Sequence, residues 1–340
     1  MNGRLLGVSV ALLGTCLGAA LVVAAPQSSP PQPPAGRPQP ELTVDALSVV
    51  KLRSRAVAGA RSTATLGPQR EGSGVVIDAQ GLVATIGYLI LEAETIELST
   101  VDGRVFPASV VGYDAASGLG LVRSLDPLPI RPVQFGESSR VAEREPVLIV
   151  GFDGVAPAYV VSRRPFVGSW EYLLDEAIYT APVTVNWAGA ALLDRERKLV
   201  GIGSLAVPDA TGPRRPVPGN LFVPVDRLKP LLGDLVARGR SSAPPRPWLG
   251  VHTQDVEGNV IVTRVSEGSP ADRAPILVGD VLVAIGGRPV KGQADFYQRL
   301  WSSGEAGVEV ALDVLREGRI QRITVKSIDR DRYYRRGPML

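Results

Sequence analysis

The chain has 340 residues, a net charge of +3 and 21% charged residues. That near balance argues against an electrostatic nucleic-acid binder, which needs a concentrated basic excess. A single Cys and a single His exclude an internal disulfide and argue against a zinc site, and no cofactor is expected. Hydrophobic residues make up 45%, with 37 Gly, 29 Pro and few aromatics, a composition of short strands joined by turns.

Residues 1–25 read as a targeting segment: Arg4 precedes an uncharged apolar run from Leu5 to Ala25. Three readings stand. Val23-Ala24-Ala25 offers a signal-peptidase site, the run is long enough to stay as a membrane anchor, and Leu13-Gly14-Thr15-Cys16 loosely matches a lipidation site. All three export the rest of the chain. Residues 26–43 are rich in Pro, Gln and Ser, cannot bury a core, and form a linker.

From 44 to 238 the apolar runs are short, β-branched and bounded by turns, as in Gly74-Val75-Val76-Ile77 and Pro146-Val147-Leu148-Ile149-Val150. This spacing predicts an all-β domain of sandwich or barrel type. Arg163 to Leu174 reads as a lid-like loop carrying Phe166, Trp170 and Tyr172. One helix is predicted over Val225 to Val236, capped by Asp226, with Leu228, Leu231, Leu232 and Leu235 on one face. Residues 239–247 are polar and Pro-rich and mark a second linker. Residues 248–328 mix strands with two short helices, an α+β unit, and 329–340 form a basic tail expected to be solvated.

The second unit resembles a PDZ domain of the HtrA kind. The resemblance is carried by Trp248-Leu249-Gly250-Val251, Gly268-Ser269-Pro270-Ala271, Val278-Gly279-Asp280-Val281-Leu282 and Gly286-Gly287-Arg288-Pro289-Val290, in order. It implies that the 248–251 loop offers backbone N–H groups to a peptide's C-terminal carboxylate. The helix Ala294 to Trp301 then walls the groove with Phe296 and Leu300, unless those two are core.

The first unit resembles the HtrA-type serine protease domain. Its markers are Gly72-Ser73-Gly74-Val75-Val76-Ile77-Asp78, Asp102-Gly103-Arg104-Val105-Phe106-Pro107-Ala108, and the stretch from Leu192 through Ile202. The resemblance implies a mainly β chain: a trypsin-like double six-stranded β-barrel followed by the PDZ domain. A protease of this type needs a Ser nucleophile, a His base, an orienting carboxylate and backbone donors for the oxyanion. By position, the family's His is Tyr88, its Asp is Gly118 and its Ser is Ala188, while Asn186 replaces an oxyanion-loop Gly. Asp114 matches a different, non-catalytic position. A phenol with a pKa of about 10 is a poor general base near neutrality. The one His, His252, falls in the PDZ unit.

The reading that follows is an exported pseudoprotease acting as a peptide-binding scaffold or chaperone-like adaptor in a bacterial periplasm or envelope. Its partners would be C-termini or extended segments of exported proteins. An HtrA-type endopeptidase of envelope quality control is the alternative, and it requires a non-standard catalytic set. Family relatives form trimers; the matching contacts are not identifiable in residues 44–70, and the oligomeric state stays open. The terminal Pro338-Met339-Leu340 ends like a PDZ ligand, so self-capture is also expected.

Overall fold

The computed structural model describes residues 43–334. The expectations for the leader, Cys16, the Pro-rich segment through residue 42 and the terminal Pro338-Met339-Leu340 lie outside the described residues.

Alternation builds the first strands. In β1 (Val49–Ala56) Arg53 and Arg55 face out while Leu52, Ser54 and Ala56 are buried. With β2 (Gln69–Val76), β3 (Leu82–Ile86), β4 (Ala93–Ser99), β5 (Val105–Tyr113) and β6 (Leu119–Ser124) it closes a barrel in the order β1-β2-β3-β6-β5-β4. The one-turn helix α1 (Thr63–Leu66) lies between β1 and β2. A second barrel is made from β7 (Pro146–Gly151), β8 (Gly154–Gly168), β9 (Tyr172–Ala181), β10 (Ala191–Leu193), β11 (Leu199–Val207) and β12 (Gly219–Pro224). Its order is β10-β11-β12-β9-β8-β7. This is the double six-stranded barrel that the resemblance implies.

The alternation disappears where the barrels meet. All of β3 and β12 is buried. One continuous apolar cluster runs from Val50, Val83 and Leu121 of the first barrel to Val150, Leu199 and Leu221 of the second. Strands apolar on both faces are what such a double-sided position requires.

The helix predicted over Val225 to Val236 is broken. Pro230 has no N–H and its ring opposes a regular helix there. The chain makes two separate 3₁₀ turns, Val225–Arg227 and Lys229–Leu231, before α2 (Leu232–Arg238). Asp226 caps neither; its carboxylate accepts from the Ser139 N–H and from Lys229. Leu228 and Leu235 are fully buried, as the stripe predicts.

The remaining sheet has β13 (Val251–Val256), β14 (Asn259–Val265), β15 (Val281–Ile285), β16 (Arg288–Pro289), β17 (Glu309–Arg316) and β18 (Arg319–Lys326), in the order β13-β14-β15-β17-β18 with β16 on β15. Ser269 caps α3 (Pro270–Arg273) by accepting from the Asp272 N–H. Helix α4 (Gln293–Trp301) packs on the sheet through Phe296, Tyr297 and Leu300.

The basic end is not solvated where it is described. Trp248 and Ile328 exchange backbone hydrogen bonds of 3.0 and 3.1 Å. Beyond them Tyr333 packs on Trp248 with ring centroids 4.6 Å apart, and its hydroxyl donates to Glu267 O at 2.9 Å. The Arg61 guanidinium lies 4.2 Å above the Tyr333 ring. Apolar ring area outweighs the charges around it. The segment 239–247 is likewise engaged: Pro245 O accepts from Ala306 N–H, and Arg246 covers the Trp301 ring. Tyr333→Ala should lower unfolding free energy by about 3 kcal/mol in a denaturant titration, the cost of emptying a buried aromatic site.

Candidate functional site

The three barrel positions singled out in the sequence sit where the barrels meet. Tyr88 lies in the 3₁₀ turn Gly87–Leu89 that follows β3. Its hydroxyl donates to Ser204 O of β11 at 2.7 Å, and burial lifts its pKa far above the ordinary phenol range. Gly118 has φ +75°, and a side chain there would meet the Tyr172 hydroxyl at 3.4 Å. That hydroxyl donates to Ser117 O at 2.7 Å. Asp114 accepts from the Ser117 N–H at 2.7 Å, which makes it a turn anchor.

Ala188 presents a methyl group, and its carbonyl accepts from the Ser73 N–H at 2.8 Å. The following amides are occupied: Gly189 N–H donates to Gly203 O at 2.9 Å and Ala190 N–H to Trp187 O at 3.0 Å. The Asn186 carboxamide donates to the Asp153 carboxylate. The only imidazole of the chain belongs to His252 on β13. Burial, then Arg264 and Arg330, push it down to about 4, so it is neutral at ordinary pH.

The expected lid loop is a hairpin. Phe166 and Val167 continue β8, Tyr172 to Leu174 begin β9, and Gly168 pairs with Tyr172. Alternating apolar residues on both arms favour strands over an open loop. The tip, Ser169-Trp170-Glu171, ends with Glu171 at φ +55°, where a three-residue hairpin ordinarily places Gly.

The strained residue has a large compensation. Glu171 is 5% exposed, and its carboxylate enters the loop before β13. Gly250 N–H donates to Oε1 at 2.6 Å, Val251 N–H to Oε1 at 3.0 Å and Leu249 N–H to Oε2 at 3.1 Å. Ser169 O accepts from the Thr253 N–H of β13 at 2.9 Å. The Tyr297 hydroxyl lies 2.9 Å from Gly168 O, and Gln293 Nε2 donates to Thr253 O at 2.8 Å. Leu173 joins the buried cluster containing Leu249, Val251, Phe296 and Leu300. Carboxylate in a backbone nest, main-chain bond to the edge strand and an apolar side chain inserted: this is the contact pattern of a peptide in such a groove, made here by the chain itself.

Of the residues expected to bind peptide, Leu249, Gly250 and Val251 therefore supply the nest. Trp248 does not; it packs against Tyr333. Phe296 and Leu300 are fully buried core, and α4 turns Gln293 and Tyr297 toward the groove instead. The helix has one apolar face, and Phe296 and Leu300 are needed there to fill the sheet's core. Glu171, Ser169 and Tyr297 are absent from the sequence-based candidates. The turn at the hairpin tip is legible in Gly168-Ser169, but no local pattern links an acidic tip to a nest some 80 residues away.

Comparison with known proteins follows the same division. The family described as trypsin-like peptidase domain matches residues 72–202, and the PDZ domain family matches residues 247–327. The putative serine protease HhoA of Synechocystis is 27% identical over 289 residues, covering 76% of this chain and 70% of that protein. The periplasmic pH-dependent serine endoprotease DegQ of Escherichia coli is 26% identical, over 73% of this chain and 57% of its own length. The structure of the HtrA-type protease AlgW with a decapeptide superposes with a TM-score of 0.51 at 20% identity, covering 86% of this chain and 97% of that one. The chain belongs to the HtrA family. It spans less than two thirds of DegQ, so the relatives' whole-protein activities are not transferred by the match.

Burial pushes the Glu171 carboxyl of this HtrA-family chain up to about 7 from 4.5, although the Leu249, Val251 and Gly250 N–H groups and Arg330 pull it down. The docked hairpin thus holds a proton more tightly than a released one. Docking is strongest below about 4.5 and weakens as pH rises to about 7. Melting temperatures measured across that window should fall in the wild type relative to Glu171→Gln, which has no proton to lose.

Proposed function

We propose that this chain is an exported, non-proteolytic HtrA-family protein that binds C-termini or extended segments of exported proteins through its PDZ domain, as a scaffold or chaperone-like adaptor in the bacterial envelope. One observation carries the reading. The positions of nucleophile, base and orienting carboxylate hold Ala188, Tyr88 and Gly118, and the Tyr88 hydroxyl is already committed to Ser204 O. Acyl transfer by the family's route needs a deprotonated nucleophile and a base of matched pKa, and neither side-chain type is present there.

Glu171 supports the binding half. Three N–H groups converge on its carboxylate, and the C-terminal carboxylate of a partner offers the same two acceptor oxygens. A partner must displace the hairpin tip, so apparent affinity is reduced by the fraction of molecules in which the nest is filled.

Incubation of the purified chain with unfolded casein should yield no fragments, and Ala188→Ser should not restore cleavage because no base accompanies the hydroxyl. Cleavage by the natural chain that survives His252→Ala would establish the endopeptidase reading with another catalytic set. Glu171→Ala should raise affinity for peptides with a free apolar C-terminus by about tenfold, read by fluorescence anisotropy. Amidated peptides should bind neither form.

A further inference from the structure

We propose that the cavity between the barrels and the PDZ sheet is a second binding site, one that takes an amphipathic anion: an apolar acyl body carrying a single carboxylate. It adjoins the peptide groove, sharing Gly250 and Val251 with the nest that Glu171 fills, and reaches Tyr88 and Gly118 of the barrels, but its occupant is held by other groups.

The cavity measures about 930 Å³, within the range of small-molecule sites. The chain has four Trp and eight Tyr, and three of those Trp and five of those Tyr line this one space. They come from every part of the fold. Tyr88 and Trp187 belong to the barrels, Trp170 and Tyr172 to the hairpin, Trp248 to the start of the PDZ domain and Tyr333 to the C-terminal segment. All the Trp of this space and most of its Tyr stand around open volume, whereas the aromatics Phe222, Phe296 and Tyr179 are fully buried in close-packed core.

The charge lining the cavity is predominantly positive. Arg61 and Arg264 stand exposed at its rim, and Arg330 lies deeper. Among the described residues the one acidic side chain lining it is Glu267. His252 also lines it, with Arg264 2.6 Å from its Nε2. The Nε of Arg330 is buried without a hydrogen-bond partner among the described residues. Buried donors are ordinarily satisfied, so an orphaned guanidinium nitrogen beside an open, aromatic-walled volume marks a place for an acceptor. Guanidinium groups suit a carboxylate in particular, because their N–H groups match its two oxygens.

The tryptophans provide the readout, since three of the four line the cavity. Dodecanoate, kept below its micellar concentration, is titrated into the purified chain while tryptophan fluorescence is followed, with dodecanol as the uncharged probe. The expected result is a saturable change with dodecanoate and about tenfold weaker binding of dodecanol, the loss of one charge-assisted contact. Arg264→Gln and Arg61→Gln, both at exposed positions, should each bind dodecanoate about tenfold more weakly; Arg264→Gln should melt like the wild type, and Arg61→Gln slightly lower for its lost contact with the Tyr333 ring. Absence of a saturable change overturns the proposal. So does equal binding of dodecanol and dodecanoate, or wild-type affinity in both variants.

Discussion

The arrangement of this molecule turns on one carboxylate. Glu171 reaches from the second barrel into the PDZ loop and takes three backbone N–H groups at once. Each of those groups would otherwise need a partner, because the Leu249–Val251 backbone is buried. The bond set fixes the tip of the β8–β9 hairpin, and the tip fixes much else. Trp170 and Tyr172 stack with centroids 5.6 Å apart, and Tyr172 is held over Gly118. A left-handed glutamate, costly alone, becomes the joint between the two halves of the chain.

The barrels hold together independently of the three positions singled out in the sequence. What holds the barrels together is the apolar seam where β3 meets β11, and neither Tyr88, Gly118 nor Ala188 belongs to its buried core. Each instead satisfies a local need. Tyr88 bridges the barrels through Ser204 O, Gly118 supplies a left-handed turn, and Ala188 lends its carbonyl to Ser73.

The fold was legible in the sequence because its signals are local. Short β-branched runs between glycine turns announce barrel strands, and Ser269-Pro270 announces a capped helix. Local signals failed where a long-range contact decided the outcome. Phe296 and Leu300 have the spacing of a groove wall, yet the sheet's demand for apolar volume claimed them. Arg330 and Tyr333 read as a soluble tail, yet Trp248 gave Tyr333 a surface to cover. Glu171 was indistinguishable from neighbouring acids such as Asp175 and Glu176, which are exposed on β9. Its partners are backbone N–H groups, which carry no residue identity for a sequence pattern to show.

The stack of Arg61, Tyr333 and Trp248 has a consequence in time. It joins a loop of the first barrel to the entry of the PDZ domain by means of a residue at position 333 of 340. Synthesis proceeds from the other end, so both barrels and nearly all of the PDZ sheet emerge before this pin exists. The clasp closes only after those parts have been made. Until then the aromatic faces it covers are open to whatever attends a newborn protein.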